Sequence, residues 1–180
     1  MRILAVDPGA ERCGWAILDP IEGSTVPVYV DSGILQYRRN NMVFQEYRVL
    51  LEQASWWKFN SLFDEYQPSV VVNEIIPAVS ANSNFVLATQ SYLANVVVTM
   101  LHANAVFHNT EIHQIAARQV HSTIVTNRKK GQKVTKLQVC NSVVELVPSL
   151  AQRRGEWAKS KHWDESDAIA IGIAYVKLHQ

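Results

Sequence analysis

Apolar residues along this chain fall first in short runs and then at helical spacing. Arg2 to Asp7 is a short β-prone run broken by Pro8-Gly9, and Gly14 to Leu18 and Val26 to Tyr37 are two further strand-like runs. Together they predict three antiparallel strands. From Met42 to Tyr66 apolar residues recur at Phe44, Tyr47, Leu51, Ala54 and Leu62, the spacing of a helix, which Pro68 stops. Val70, Val71 and Val72 form a continuous apolar run, the mark of a strand buried on both faces, and the run ends at Glu74. Asn84 to Ala103 predicts a long helix, Val106 to His108 a short strand, and Thr110 to Ile124 mostly helix. Asn127 to Gln132 is a polar basic loop, Thr135 to Val147 a helix ended by Pro148, and Asp164 to Leu178 the last helix. Strands followed by alternating helices and strands predict one α/β domain over residues 1–180, built on a mixed sheet.

Composition narrows the class. With 180 residues, 48% of them hydrophobic, the chain has enough material for one sizeable core. Cys13 and Cys140 fit no metal-ligand or redox spacing, and reduced thiols are expected. The first ten residues carry one basic group and meet Asp7 at once, unlike a signal peptide, and the apolar stretches are read as short of the roughly 20 residues that span a bilayer. A soluble cytoplasmic protein without a membrane partner is the expectation. The net charge of +1 hides a strong polarity. Arg118 to Lys161 holds ten basic residues against two acids, a net of +8, which leaves seven basic and fourteen acidic residues, −7, for the rest. Such a distribution can present a basic surface to a polyanion.

The candidate chemistry lies in four acids at element ends. Asp7 ends the first apolar run and Glu74 the valine run, while Asp164 and Asp167 open the last helix, three apart on one face. Each has an ordinary explanation singly: an aspartate bonds backbone before a turn, and acids favour helix N-termini by a few tenths to about 1 kcal/mol. Glu74 is harder to explain, because a charge at the end of a buried strand is costly unless partnered. Ligands of α/β sheets gather outside the carboxyl ends of strands, where Asp7 and Glu74 fall. All-oxygen donors of this kind suit Mg2+ or Mn2+, two ions of which, about 4 Å apart, serve in-line displacement at phosphorus.

The same residues carry a family resemblance. Asp7-Pro8-Gly9 with Gly14 five residues on resembles the opening of the RuvC family of Holliday junction resolvases, within the RNase H-like superfamily. Glu74 after its valines resembles that family's second acid, and Asp164-Glu165-Ser166-Asp167-Ala168-Ile169-Ala170 its closing acidic helix. Ala116 to Val120 and Lys136 to Val139 resemble segments flanking the DNA-contacting lysines. The similarity is ordered and runs from Met1 to about Tyr175. It implies an RNase H-like mixed five-stranded sheet with helices on both faces. It further implies a homodimeric endonuclease, using two Mg2+ ions per active site with Mn2+ as a substitute, that nicks two opposed strands of four-way DNA junctions. Asp7, Glu74, Asp164 and Asp167 become catalytic metal ligands, and Lys136 a contact to the scissile-strand phosphates.

The chain departs from the family pattern at the DNA contacts. His121 stands where many relatives place a lysine, and the basic insertion with Arg128, Lys129, Lys130 and Lys133 supplies charge nearby, beside Arg118. Ile75 to Val79 lacks the aromatic that wedges into bases in some relatives. These departures suit a phage or otherwise divergent member, acting in a host cytoplasm if phage-encoded. The apolar helix from Asn84 to Ala103 is the expected dimer contact. Two other functions compete: an RNA-processing nuclease of the YqgF-like group, and a branched-DNA binding module without catalysis.

Overall fold

Alternation along the first strand dictates a layer of helices on each side of the sheet. In β1 (Ile3–Asp7), Ile3 and Ala5 face one hydrophobic cluster while Leu4 and Val6 face another, so neither face can be left to water. A computed structural model describes residues 1–78, 84–126, 132–160 and 163–179, apart from the side chains of 158–160. β1 lies at the centre of five strands. It pairs antiparallel with β2 (Arg12–Asp19), which pairs antiparallel with β3 (Val28–Gln36). On its other side it pairs parallel with β4 (Val70–Glu74), which pairs parallel with β5 (Glu111–Ile115). The order β3-β2-β1-β4-β5 is the mixed five-stranded sheet expected.

On one face lie α1 (Phe44–Tyr66) and α2 (Phe85–Phe107), where Leu51, Phe59, Leu62, Leu93, Val97 and Leu101 close over Leu4, Val6 and Val71. α1 is capped by Gln67, in the left-handed region at φ 49°, just before Pro68. On the other face lie α3 (Ala117–Ile124), α4 (Lys136–Leu146), a 3-10 turn (Pro148–Arg153), α5 (Arg154–Ser160) and α6 (Trp163–His179). Every residue of α6 from Glu165 to Val176 is buried. Burial of each isoleucine among them, Ile169, Ile171 and Ile173, stabilises by roughly 1.5–3 kcal/mol. A β-carbon on Gly172 would strike the Leu18 side chain, so the helix lies directly on β2.

Three expectations are corrected. Val106 and Phe107 finish α2 and His108 caps it, so no strand forms there; the strand is β5, within the stretch expected to be helical. Its sequence, Glu-Ile-His-Gln-Ile, belongs to an edge strand in which Ile115 alone is fully buried, and that leaves little apolar signal. The 3-10 turn and α5 were not anticipated. Finally, α2 is long and apolar enough to cross a membrane by length and composition, contrary to the reading of short apolar stretches. Here its Leu93, Ala94, Val97, Leu101 and Ala105 are core. Cys13 and Cys140 are both free and buried, as reduced thiols would be.

Candidate active site

Parallel pairing brings two of the acids to one level. Val6 lies opposite Asn73, so β1 and β4 end side by side, at Asp7 and Glu74. Alternation turns Asp7 to the side of Ile3 and Ala5, and Glu74 to the side of Val70 and Val72, the face that carries α3, α4 and α6. Asp167 comes from the first turns of α6. These three acids, with Lys136, His121, Val120 and Ala117, line a single cavity of about 210 Å3.

Lys136 owes its place to a cap. Thr135 Oγ1 accepts from the backbone N–H of Gln138 at 3.3 Å, and Gln138 Oε1 accepts from that of Thr135 at 2.9 Å. That fixes Lys136 in the opening turn of α4, and its ammonium is ion-paired with Asp167 Oδ2. His121 of α3 is partly buried on the same cavity.

Asp164 faces an adjoining cleft, with Pro8, Gly9, Arg12, Ile76 and Gln90 along its walls. Arg12 Nε lies 3.5 Å from Asp164 Oδ2, an ion contact. That oxygen is buried and accepts no hydrogen bond. The backbone carbonyl of Asp164 presses on Gly14 of β2, where a β-carbon would collide with it. A larger hollow of about 430 Å3, lined by Tyr37, Tyr47, Phe85 and Leu93 among others, contains none of the four acids. The smaller cavity is where the titratable groups converge.

Although Asp164 faces a different cleft, the four acids share one field. Burial holds the Asp7 carboxyl well above the usual range; the Asp167 charge adds to this, Lys136 opposes it, and Glu74 and Asp164 raise it further. Glu74 is raised by burial and by Asp167, against Lys136. Asp167 is raised by burial and by Asp164, against Lys136 and His121. Burial pulls the Lys136 ammonium down, but Asp167, Asp7 and Asp164 outweigh it and leave its pKa raised.

Among the described residues no three of the histidine, cysteine and carboxylate side chains are spaced to close on one ion. Among the described residues the cations in contact with these acids are Lys136, at Asp167, and Arg12, at Asp164. The donors nonetheless fit a hard divalent ion: all are carboxylate oxygens, Asp164 Oδ2 is buried without a hydrogen bond, and burial, with the neighbouring acids, disfavours the charges of Asp7, Glu74 and Asp167 until more positive charge arrives.

Of the expected DNA contacts, Arg118 is exposed on α3 and Lys133 is exposed before α4. Arg128, Lys129 and Lys130 lie outside the described residues, as does His162. Two features of the site had no sequence signal. One is Arg12, a lone arginine at a strand start. The other is the buried Asn73 of β4, whose Oδ1 meets His102 Nε2 of α2 at 2.8 Å while its Nδ2 donates to the Glu74 carbonyl at 2.9 Å.

Similarity to known proteins gives the family and the fold. The family model described as "Crossover junction endodeoxyribonuclease RuvC" matches residues 3–175. A protein of that name from Campylobacter concisus is 26% identical over 175 residues, covering 97% of this chain and 96% of its own. The fold is similar to T. thermophilus RuvC in complex with Holliday junction substrate, with a TM-score of 0.70 at 14% identity over 99% of this chain and 96% of that one. It is also similar to the yeast mitochondrial Holliday junction resolvase Ydc2, with a TM-score of 0.64 at 15% identity over 97% of this chain and 77% of that one. With the family model spanning nearly its whole length, this chain belongs to the RuvC family of crossover junction endodeoxyribonucleases.

Proposed function

We propose that this chain resolves four-way DNA junctions by paired symmetric nicks, hydrolysing one phosphodiester per active site and leaving 5′-phosphate and 3′-hydroxyl ends. The observation that carries the reading is the convergence of Asp7, Glu74, Asp167 and Lys136, from four separate elements, on one cavity beneath the strand tips. Family membership directs that cavity towards DNA junctions rather than structured RNA, and the intact acids favour cleavage over binding alone.

Asp7 and Glu74 from the sheet, with Asp164 and Asp167 from α6, would hold the Mg2+ or Mn2+ ions. When bound, the ions supply Lewis-acid activation of water and charge neutralisation at the departing 3′ oxygen. Lys136, released from Asp167, places its ammonium on the scissile-strand phosphate, and His121 lines the same passage. Arg118 and Lys133, exposed on the flank, take neighbouring phosphates and orient the strand without reading its bases. Affinity resting on such contacts falls steeply with salt.

The paired nicks ask for two related sites, and a homodimer supplies them. Along α2 the residues Tyr92, Asn95, Thr99, Ala103 and Val106 form an exposed stripe of mostly short side chains, which lets two copies of the helix approach closely.

The decisive experiment compares wild type with Asp7→Asn on a labelled mobile four-way junction with mapped cut sites. Wild type makes paired, symmetric, metal-dependent nicks. Asp7→Asn binds the junction but cleaves at least about a hundredfold more slowly, since losing a metal ligand removes several kcal/mol of transition-state stabilisation. Cleavage by Asp7→Asn at the wild-type rate would overturn the reading.

A further inference from the structure

We propose that the buried Glu165 is the positioning residue of the acidic helix: it fixes the rotation of α6, and so the directions in which Asp164 and Asp167 present their carboxylates. This rests on reading those two aspartates as metal ligands.

Glu165 is 3% exposed, yet it is a charged residue in the most deeply buried helix of the fold. Its Oε1 accepts from Ser32 Oγ of β3 at 2.5 Å and pairs with Arg153 Nη1 of the 3-10 turn at 2.7 Å. Its Oε2 accepts from Trp157 Nε1 of α5 at 2.9 Å. The same Arg153 nitrogen also donates to Tyr29 Oη and Ser32 Oγ, each at 3.2 Å. Three separate elements thus hold one carboxylate by directional bonds.

Stability alone gives no reason for the arrangement. An apolar set of similar volume would commonly serve as well as a buried ion pair. The reason lies in the rest of α6. From Glu165 to Val176 the helix is buried all round, so it has no polar face to dictate which side meets the sheet. Apolar attraction is non-directional, so the rotation of such a helix about its axis is set by close steric seats, such as Gly172 on Leu18, and by directional bonds. Rotation by one residue's share of a turn would carry Asp164 and Asp167 away from Asp7. The bonds of Glu165 oppose that rotation from one side, and the seat of the Asp164 carbonyl on Gly14 opposes it from another.

The test is Mn2+ binding by wild type, Glu165→Gln and Asp164→Asn, followed by paramagnetic resonance without DNA and read beside thermal denaturation, junction binding in EDTA and the Mn2+ dependence of cleavage. Glu165→Gln is expected to weaken Mn2+ affinity on the order of tenfold, the low end for residues that orient metal ligands. Its cleavage recovers at raised Mn2+, and its junction binding in EDTA is unchanged. A merely structural role would lower the melting temperature and leave Mn2+ affinity alone, and that result in folded Glu165→Gln overturns the proposal. Should Glu165→Gln not fold, Ser32→Ala removes one donor without unpairing the charge and carries the same expectation to a smaller degree; unaltered Mn2+ affinity in folded Ser32→Ala then overturns it. Wild-type Mn2+ affinity in Asp164→Asn would instead sink the assignment of the ligands, whatever Glu165 does.

Discussion

Gly14 of β2 lies against the backbone carbonyl of Asp164, with no space for a β-carbon between them. The glycine that follows the Asp7 turn and the aspartate that opens α6, 150 residues later, are therefore one steric unit. Gly14→Ala must push the first turn of α6 off the sheet. Overpacking of this kind costs about 1–3 kcal/mol, so a lower melting temperature is expected together with a loss of junction cleavage larger than the loss of folded protein. Denaturation curves and cleavage rates on the same preparation check it; a variant destabilised but fully active per folded molecule would show that α6 tolerates the shift.

Lys136→Met takes the ammonium from Asp167, whose side chain is 11% exposed. In EDTA the buried carboxylate is left without its partner, and a loss of about 1–3 kcal/mol is expected. Mg2+ restores more stability to this variant than to wild type, because the ion meets carboxylates no longer competing for a lysine. Melting temperatures with and without Mg2+ measure both effects.

The raised carboxyl of Asp7 gives a pH dependence with a definite sign. Below the ordinary aspartate value of 3.8 the group is protonated in both folded and unfolded chains and costs nothing. As pH rises from there through the raised folded value, the unfolded chain ionises freely while the fold must either hold the proton or bury a charge. Stability contributed by Asp7 in EDTA is thus present at low pH and lost as pH rises. The difference in unfolding free energy between wild type and Asp7→Asn should move against wild type over that interval. Mg2+ should reverse the trend, since only ionised carboxylates ligate.

Doubling of charge on the α2 stripe tests the dimer. Thr99→Arg with Ala103→Arg sets like charges at the middle of a face that meets its own copy, and both positions are exposed in the single chain. Sedimentation is expected to show a monomer with an unaltered circular dichroism spectrum. A dimer that survives would place the contact elsewhere.

The acids were legible because each stands where a pattern breaks: Asp7 at a Pro-Gly turn, Glu74 after three valines, Asp164 and Asp167 before an apolar helix. β5 was not, since an edge strand with one fully buried apolar residue leaves almost no periodic trace, whereas Val106 and Phe107 look strand-like but are each 72% exposed at the end of a helix. Glu165 was visible as part of the acidic segment, but its partners Ser32, Arg153 and Trp157 come from elements that only the folded chain brings together. Pairing of this sort has no local spacing to read.

Three identical side chains in a row make β4 ambiguous to its neighbours: slid by one position, valine still meets valine on both faces, and hydrophobicity would barely object. Such a slip would turn Glu74 towards α1 and α2 and away from Asp7. What the valines cannot specify, Asn73 does, because its buried amide reaches His102 in one register and would be stranded in the core in the other. The strand that carries Glu74 is thus indexed by an amide that needs to touch no substrate, and on the proposed reading the placing of that carboxylate begins with a single hydrogen bond on the opposite side of the sheet.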